Sequence, residues 1–423
     1  MLKHQNKYFP FLMWGFPLLF FTYQFILRLW PSLMMHSIME NLLIDASGFG
    51  FLAAVYYYGY SSMQIPVAIL LDRFGARYTI FGCAILCGCA SLLFTYTDNF
   101  YLACLSRFFV GVGSAVGFLG TSKVISEWFS KDHYARMIGL SFTFGLMGAL
   151  YGGKPINLLI ENHGGAVVAV VLACVSIGLG IVTYACLKSP GTESSSCKPE
   201  SFKLAHFKTL FSSPFIWFLA IANLLMVGSL EGFADVWGVP YLMIAYGLAK
   251  GDAAELISFI FVGMLFGGPL LAFLSKRMGT YRVIVFCGVG MAFSFLLLLS
   301  GFFYSWYCLA ALLFCIGILC CYQVIVFVVG SELVSPVLLS VTVAFINSIN
   351  MLGGSFFHTT IGLIMDASWT GLLDAEGIRH YTIKSYEVSL LVIPLCAFIG
   401  ACIVGGLGFK WHQKKPSILR GPV

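Results

Sequence analysis

Residues Glu231-Gly-Phe-Ala-Asp235-Val-Trp237-Gly-Val-Pro240 place two acids inside a long apolar run. A much earlier run carries Tyr23-Gln-Phe-Ile-Leu-Arg28-Leu-Trp30-Pro31. Each stretch breaks oily sequence with an ionisable residue, a Trp two positions on and a Pro soon after. One supplies a cation and the other two anions. An ionisable side chain within a bilayer is expensive and faces a partner or a watery cavity. Matched interruptions in the two halves of a duplicated chain point to a solute site between those halves.

The rest of the chain has the composition this requires. Of 423 residues, 59% are hydrophobic and 10% are charged, and the mean hydropathy is +0.91. A soluble domain carries about 25% charged residues, so a water-exposed surface of ordinary size cannot be built. Cutting at charged or Gly/Pro-rich breaks leaves twelve apolar segments near the length of about 20 residues that crosses a bilayer. They cover 9–35, 50–71, 78–96, 100–127, 137–159, 166–187, 214–244, 255–274, 283–303, 307–330, 337–365 and 387–409. The first is too long for a signal-peptide core and lacks a small-residue cleavage site.

Between the sixth and seventh segments lies the polar stretch Lys188-Ser-Pro-Gly-Thr-Glu-Ser-Ser-Ser-Cys-Lys-Pro-Glu. It divides the chain into a six-helix bundle over 1–187, a linker over 188–213 and a second six-helix bundle with a short tail over 214–423. Putting both termini in the cytoplasm leaves 17 Lys and Arg on that side, three outside and four within segments. That is the positive-inside pattern. The net charge of +6 is therefore a topology signal rather than a nucleic-acid footprint. The 14 Cys show no metal-ligand spacing and lie mostly in apolar runs, where Cys behaves as a small hydrophobe. No nucleotide loop, nucleophile elbow or metal cluster is evident, so neither ATP-driven pumping nor membrane enzymology is expected, and no cofactor.

The loop after the second segment reads Leu71-Asp72-Arg73-Phe74-Gly75-Ala76-Arg77, and the fourth contains Arg107-Phe-Phe-Val-Gly111-Val-Gly113. These resemble the loop signature and the Arg-x-x-x-Gly-x-Gly element of the major facilitator superfamily, with Ala68 in place of the signature's first Gly. The second-half counterpart, Lys276-Arg277-Met-Gly279, puts Lys276 where Asp72 stood. The resemblance implies an all-α membrane protein of twelve transmembrane helices in two pseudo-symmetric bundles. It also implies that Asp72, Arg73, Gly75 and Arg77 bias one state of the transport cycle, and that Arg107 serves structure or proton movement. A Gly-rich run ending in Lys154-Pro155 is loosely similar to an antiporter element, but close packing and a Pro-induced bend explain it better, so antiport is not read from it.

A finer likeness rests on Arg28-x-x-Pro31-Ser-x-Met34, on Tyr56-Tyr57-Tyr58 leading to Gln64-Ile65-Pro66, and on Ala234-Asp235-x-Trp237-Gly238-Val239-Pro240. It is similar to the branch that includes the phagosomal nutrient transporters of intracellular proteobacteria. That branch implies amino-acid uptake across a bacterial inner membrane.

The residues leave two readings of the charges open. Arg28 lies about 19 residues into the first segment and Asp235 about 21 into the seventh. At about 1.5 Å per residue their depths agree within a turn. Either Arg28 and the acids neutralise one another, or Arg28 offers a fork for a carboxylate while Glu231 or Asp235 takes an ammonium group or a proton. Glu231, four residues before Asp235, shares its helix face. Tyr56, Tyr57, Tyr60, Gln64, Trp237, Gln323, Asn347 and Asn350 are further candidates for substrate contact, and His358 for protonation. The expectation is a monomeric, proton-coupled amino-acid symporter in contact with membrane lipid. Export of a siderophore or drug-like molecule, or transport of a nucleoside or dipeptide, is the alternative; a membrane-embedded sensor would need a signalling domain that linker and tails are too short to hold.

Overall fold

The computed structural model describes residues 8–188, 212–332, 334, 339–374 and 376–418. Most of the linker expected at 188–213 and the two chain ends lie outside them. The described residues are helical, apart from short loops and one isolated bridge, Leu373 with Arg379.

Among the described residues, nine helical stretches are long and apolar enough to cross a membrane. One of them, Ala46–Tyr96, is two spans joined end to end: Gly75, at φ 80° and ψ 168°, turns the chain between them. A side chain at that φ would be strained, which is why the turn needs glycine. Two further spans are more polar. The fifth, Lys131–Gly152 with Lys154–His163, begins with charged residues and breaks at Gly153, whose ψ of −118° interrupts the helix. The eleventh, Leu339–Ala367, carries Asn347, Asn350 and His358. The protein thus has twelve transmembrane helices in two six-helix bundles.

We number the spans in chain order. Span 1 is Phe9–Leu33, spans 2 and 3 make up Ala46–Tyr96, and span 4 is Phe100–Trp128. Span 5 is the broken helix and span 6 Gly165–Cys186. Spans 7 to 10 are Pro214–Tyr246, Lys250–Met278, Thr280–Leu299 and Trp306–Gly330. Span 11 follows, and span 12 is Ile383–Phe409. Helix ends outrun the apolar segments where a polar cap holds them. Span 2 starts at residue 46 because the Asp45 carboxylate accepts the Gly48 N–H at 2.9 Å.

Glycine lets the helices touch backbone to backbone. A Cβ on Gly111 of span 4 would fall 2.0 Å from the Tyr56 carbonyl oxygen, and one on Gly148 of span 5 the same distance from that of Thr22. The element read as similar to an antiporter motif is therefore a packing face against span 1.

The two bundles meet along two helix pairs at the end away from the termini. Span 2 runs against span 11, where a Cβ on Gly50 would lie 2.3 Å from the His358 carbonyl and one on Gly362 2.5 Å from that of Ala46. Span 5 meets span 8, where Lys154 pairs with Glu255 at 2.6 Å and Asp252 at 3.4 Å. Arg379, after span 11, bridges Asp45 at 3.3 Å and Asp366 at 3.1 Å. This end of the molecule is shut.

Candidate functional site

Toward the other end the bundles separate around a cavity of about 480 Å³. Its walls come from the parts of spans 1, 2, 4, 5, 8, 10 and 11 nearest the terminal side, with Leu230 and Glu231 of span 7 deeper in. Arg28, Tyr56, Tyr60, Gln64, Glu231, Gln323 and Asn347, all expected at the site from sequence, line it. Tyr57, Asp235, Trp237 and Asn350 do not reach it in this conformation.

At the closed end of the cavity stands a four-residue cluster. Arg28 Nη1 lies 3.1 Å from Glu231 Oε2, and Arg28 Nε lies 3.0 Å from Asp235 Oδ2. The second contact is an ion pair without hydrogen-bond alignment, since Arg28 Nε has no hydrogen-bond partner among the described residues. The Tyr57 hydroxyl bonds Glu231 Oε2 at 2.5 Å and also contacts Asp235 Oδ2. Both acids are 1% exposed, and the Arg28 side chain is 11% exposed toward the cavity.

Local sequence explains how span 7 delivers both acids. Residues Gly228–Trp237 form a π-helix rather than the α-helix assumed for the four-residue spacing. The Gly238 N–H reaches back to the Phe233 carbonyl, and Gly228 and Gly232 leave room for the Phe357 side chain. Pro240 withholds the N–H that an α-helix would direct at residue 236. Wide-turn helical segments of this kind recur at functional sites.

Arg107 packs beside the cluster. It donates from Nη1 to the Leu27 carbonyl at 3.1 Å and lies over the Tyr56 ring at 5.0 Å. It thereby ties span 4 to span 1 next to Arg28. Trp237, fully buried, stands edge-on to Phe49 and fills the shut side behind the cluster. Asn350 is fully buried and its amide atoms have no hydrogen-bond partner among the described residues.

The terminal-side loop cluster lies within the first bundle. Asp72 pairs with Lys123 of span 4 at 2.8 Å, and Lys123 is 3.8 Å from Glu127. Arg77 Nε donates to the Tyr184 carbonyl at 2.6 Å, and Arg73 lies over Phe74. Lys123, near the terminal-side end of span 4, is Asp72's partner.

Gln24 and Tyr134 escaped sequence reading. Gln24 precedes Arg28 by four residues, and that helical spacing was the available signal. Tyr134 sits on span 5, where nothing in the local pattern marks it. At the cavity, a buried amide atom of each of Gln24, Gln64 and Gln323 lacks a hydrogen-bond partner among the described residues.

The Major Facilitator Superfamily model matches residues 15–358. The chain belongs to the major facilitator superfamily. It is a multi-pass secondary transporter of that superfamily, not an enzyme. Among curated relatives of this facilitator, an uncharacterized transporter, YybO of Bacillus subtilis strain 168, is 24% identical over 399 residues, 86% of each chain. Among solved structures, a bacterial homolog of the human lysosomal transporter Spinster, inward-facing and unoccupied, superposes with TM-score 0.76. It shares 16% identity and covers 97% of this chain and 99% of its own. A mutant form of the nucleoside transporter NupG gives TM-score 0.75 at 14% identity over 94% of this chain and 99% of its own. At such identities these structures speak for the fold alone.

Proposed function

We propose that this facilitator imports a small polar organic solute, with an amino acid as first choice, across a bacterial inner membrane by proton-coupled alternating access. One observation carries the proton coupling: the Tyr57 hydroxyl touches a carboxylate oxygen of both Glu231 and Asp235. A phenol has one proton to donate. One O–H cannot align fully with both oxygens, so two full hydrogen bonds here call for one acid to carry a proton and donate it to the Tyr57 oxygen. Arg28 is the only cation that touches the two acids among the described residues, while Arg107, the other cation beside them, is turned to the Leu27 carbonyl.

The cargo reading follows from which members of the cluster reach the cavity. Arg28 and Glu231 do. An incoming carboxylate can take the Arg28 fork while its ammonium group takes the released Glu231, so a zwitterion exchanges both partners without leaving a bare charge. Lys and Arg placement supports cytoplasmic termini, so the cavity would open inward in this conformation. The bundle limits 1–187 and 214–423, and a monomeric working unit, belong to the same proposal.

A second reading has its own support. Buried, unpartnered amide atoms of Gln24, Gln64 and Gln323 beside Tyr56, Tyr60, Phe118 and Phe142 suit a flat, uncharged ring such as a nucleoside. A thermal-shift screen of the purified protein against amino acids, nucleosides, dipeptides and siderophores separates the two. The compounds that stabilise it are then tested for uptake into proteoliposomes with and without an imposed pH gradient. Stabilisation by nucleosides and not amino acids overturns the first choice.

A further inference from the structure

Behind the cluster, on the side away from the cavity, His358 of span 11 is fully buried. Neither ring nitrogen has a hydrogen-bond partner among the described residues. Its ring centre lies 5.4 Å from that of Tyr57, with the planes inclined at 48°. A Cβ on Gly50 of span 2 would meet both the His358 carbonyl and the Trp237 ring, so His358 and Trp237 flank the same point of the shut interface. The Trp237 indole N–H is likewise unpartnered among the described residues.

Two buried, unpaired ring nitrogens destabilise the closed form. A Phe of similar size would fill the space without that cost. Their placement is what argues for a role: Tyr57 touches both the His358 ring and the two acids. The groups around His358 are Tyr57 from span 2, Arg28 from span 1 and Arg107 from span 4, with Glu231 and Asp235 reached through Tyr57. With two guanidinium groups close by, a ring that releases one proton as it takes up another suits the position better than one that stores charge.

We propose that His358 is the outer-side proton relay to the Tyr57–Glu231–Asp235 cluster, an inference that rests on the proton-coupled reading above. When the span 2 and span 11 contact opens, water on that side reaches the imidazole. One ring nitrogen binds the arriving proton, and the proton on the other nitrogen passes to the Tyr57 oxygen. The phenolic proton moves to the ionised carboxylate. The imidazole and phenol end neutral, the carboxylate becomes a carboxylic acid, and no electrons are transferred between groups.

The test needs no knowledge of the cargo. Full-length protein is oriented in sealed phosphatidylethanolamine/phosphatidylglycerol vesicles with a buffered lumen, and the face away from the termini is acidified. Infrared difference spectroscopy follows the protonated carboxyl band of the cluster, assigned by its loss in Glu231→Gln and Asp235→Asn. We expect His358→Phe to slow the rise of that band at least tenfold while leaving its final amplitude unchanged. His358→Gln, which keeps a polar side chain, covers the case in which the Phe variant does not fold, and is expected to slow the rise equally. An unchanged rate in a folded variant overturns the relay and leaves the proton-sharing cluster standing. Absence of any cluster carboxyl band in the unaltered protein overturns both.

Discussion

Tyr57 and Glu231, 174 positions apart, are joined by a 2.5 Å hydrogen bond across the boundary between the two bundles. Arg28 and Tyr57 come from the first half, Glu231 and Asp235 from the second, so the charged cluster is also a joint. A ligand or proton that changes its charge changes how firmly the halves are held, and an equilibrium between two states moves only by such a difference.

Arg28→Lys is expected to keep the fold and cut transport at least tenfold. Arg28 reaches its two acids with two different nitrogens, Nη1 and Nε, in one plane. A lysine ammonium is a single point charge and cannot reproduce that fork. Leaving one buried acid without its partner costs about 3–5 kcal/mol. Uptake kinetics at matched membrane expression decide it, and near-normal rates would mean that Arg28 is only a counter-charge.

Replacing the proton-carrying acid by its amide should abolish accumulation against a gradient and spare counterflow exchange, which needs no net proton movement. Glu231→Gln and Asp235→Asn are therefore compared in proteoliposomes by both assays. Because Glu231 also lines the cavity and Asp235 does not, Glu231→Gln should weaken binding as well. Uptake in the unaltered protein that ignores an imposed pH gradient would remove the proton from the mechanism.

The pairing of Arg28 with the span 7 acids was one of two readings the sequence left open, since charges at matched depth in oil have few other partners. Tyr57 as their bridge was not. In Tyr56-Tyr57-Tyr58 successive side chains point about 100° apart on a helix of 3.6 residues per turn, and composition does not say which of them faces span 7. The structure turns Tyr56 toward the cavity and Arg107, buries Tyr57 in the cluster and leaves Tyr58 exposed. The π-helix was equally hidden, because it depends on how Phe357 of another span fills the space at Gly228 and Gly232. Lys154, read as part of a packing element, proves to join spans 5 and 8 through Glu255. Such pairings depend on bundle geometry more than on local pattern.

Asp72→Asn should leave substrate affinity unchanged and alter the balance of states modestly. The Asp72–Lys123 pair is partly exposed, and such pairs contribute about 0.2–1 kcal/mol. A shift of up to about fivefold in the state ratio follows, since 1.4 kcal/mol corresponds to about tenfold. Spectroscopic distance probes across the terminal side measure it. A collapse of affinity with an unchanged state distribution would contradict this role.

The closed-side ion cluster should hold its charge through mild acid. Burial pushes the Asp45 carboxyl up, but hydrogen bonds from the Gly48 N–H and the Ser47 hydroxyl, with the Arg379 charge, outweigh it and leave it below its ordinary value. A carboxyl lowered on folding stabilises the folded form above its unfolded value of about 4, and that contribution is lost only as the pH falls through the lower folded value. Distances between the ends of spans 2 and 11 should therefore be the same at pH 7 and pH 5. Opening of this contact within that window would make the ion cluster, rather than the buried acids, the pH-sensitive element.

Gly50→Leu should hold the shut side open. The glycine lies where span 2 crosses span 11, and even a methyl group there would sit 2.3 Å from the His358 carbonyl and 3.4 Å from the Trp237 ring. The first distance is far inside van der Waals contact and involves backbone, which cannot swing aside as a flexible side chain can. Closure would have to separate the helices, so the state with the terminal-side cavity open becomes inaccessible while each bundle, packed by its own contacts, stays folded. The expected result is loss of uptake together with longer distances between labels at the ends of spans 2 and 11, at unchanged thermal stability. Gly362→Leu, one helical turn further along span 11 and 2.5 Å from the Ala46 carbonyl by the same measure, should behave alike. Normal uptake in either variant would mean that the two helices are not the closing contact, and that spans 5 and 8 carry the closure through Lys154 and Glu255.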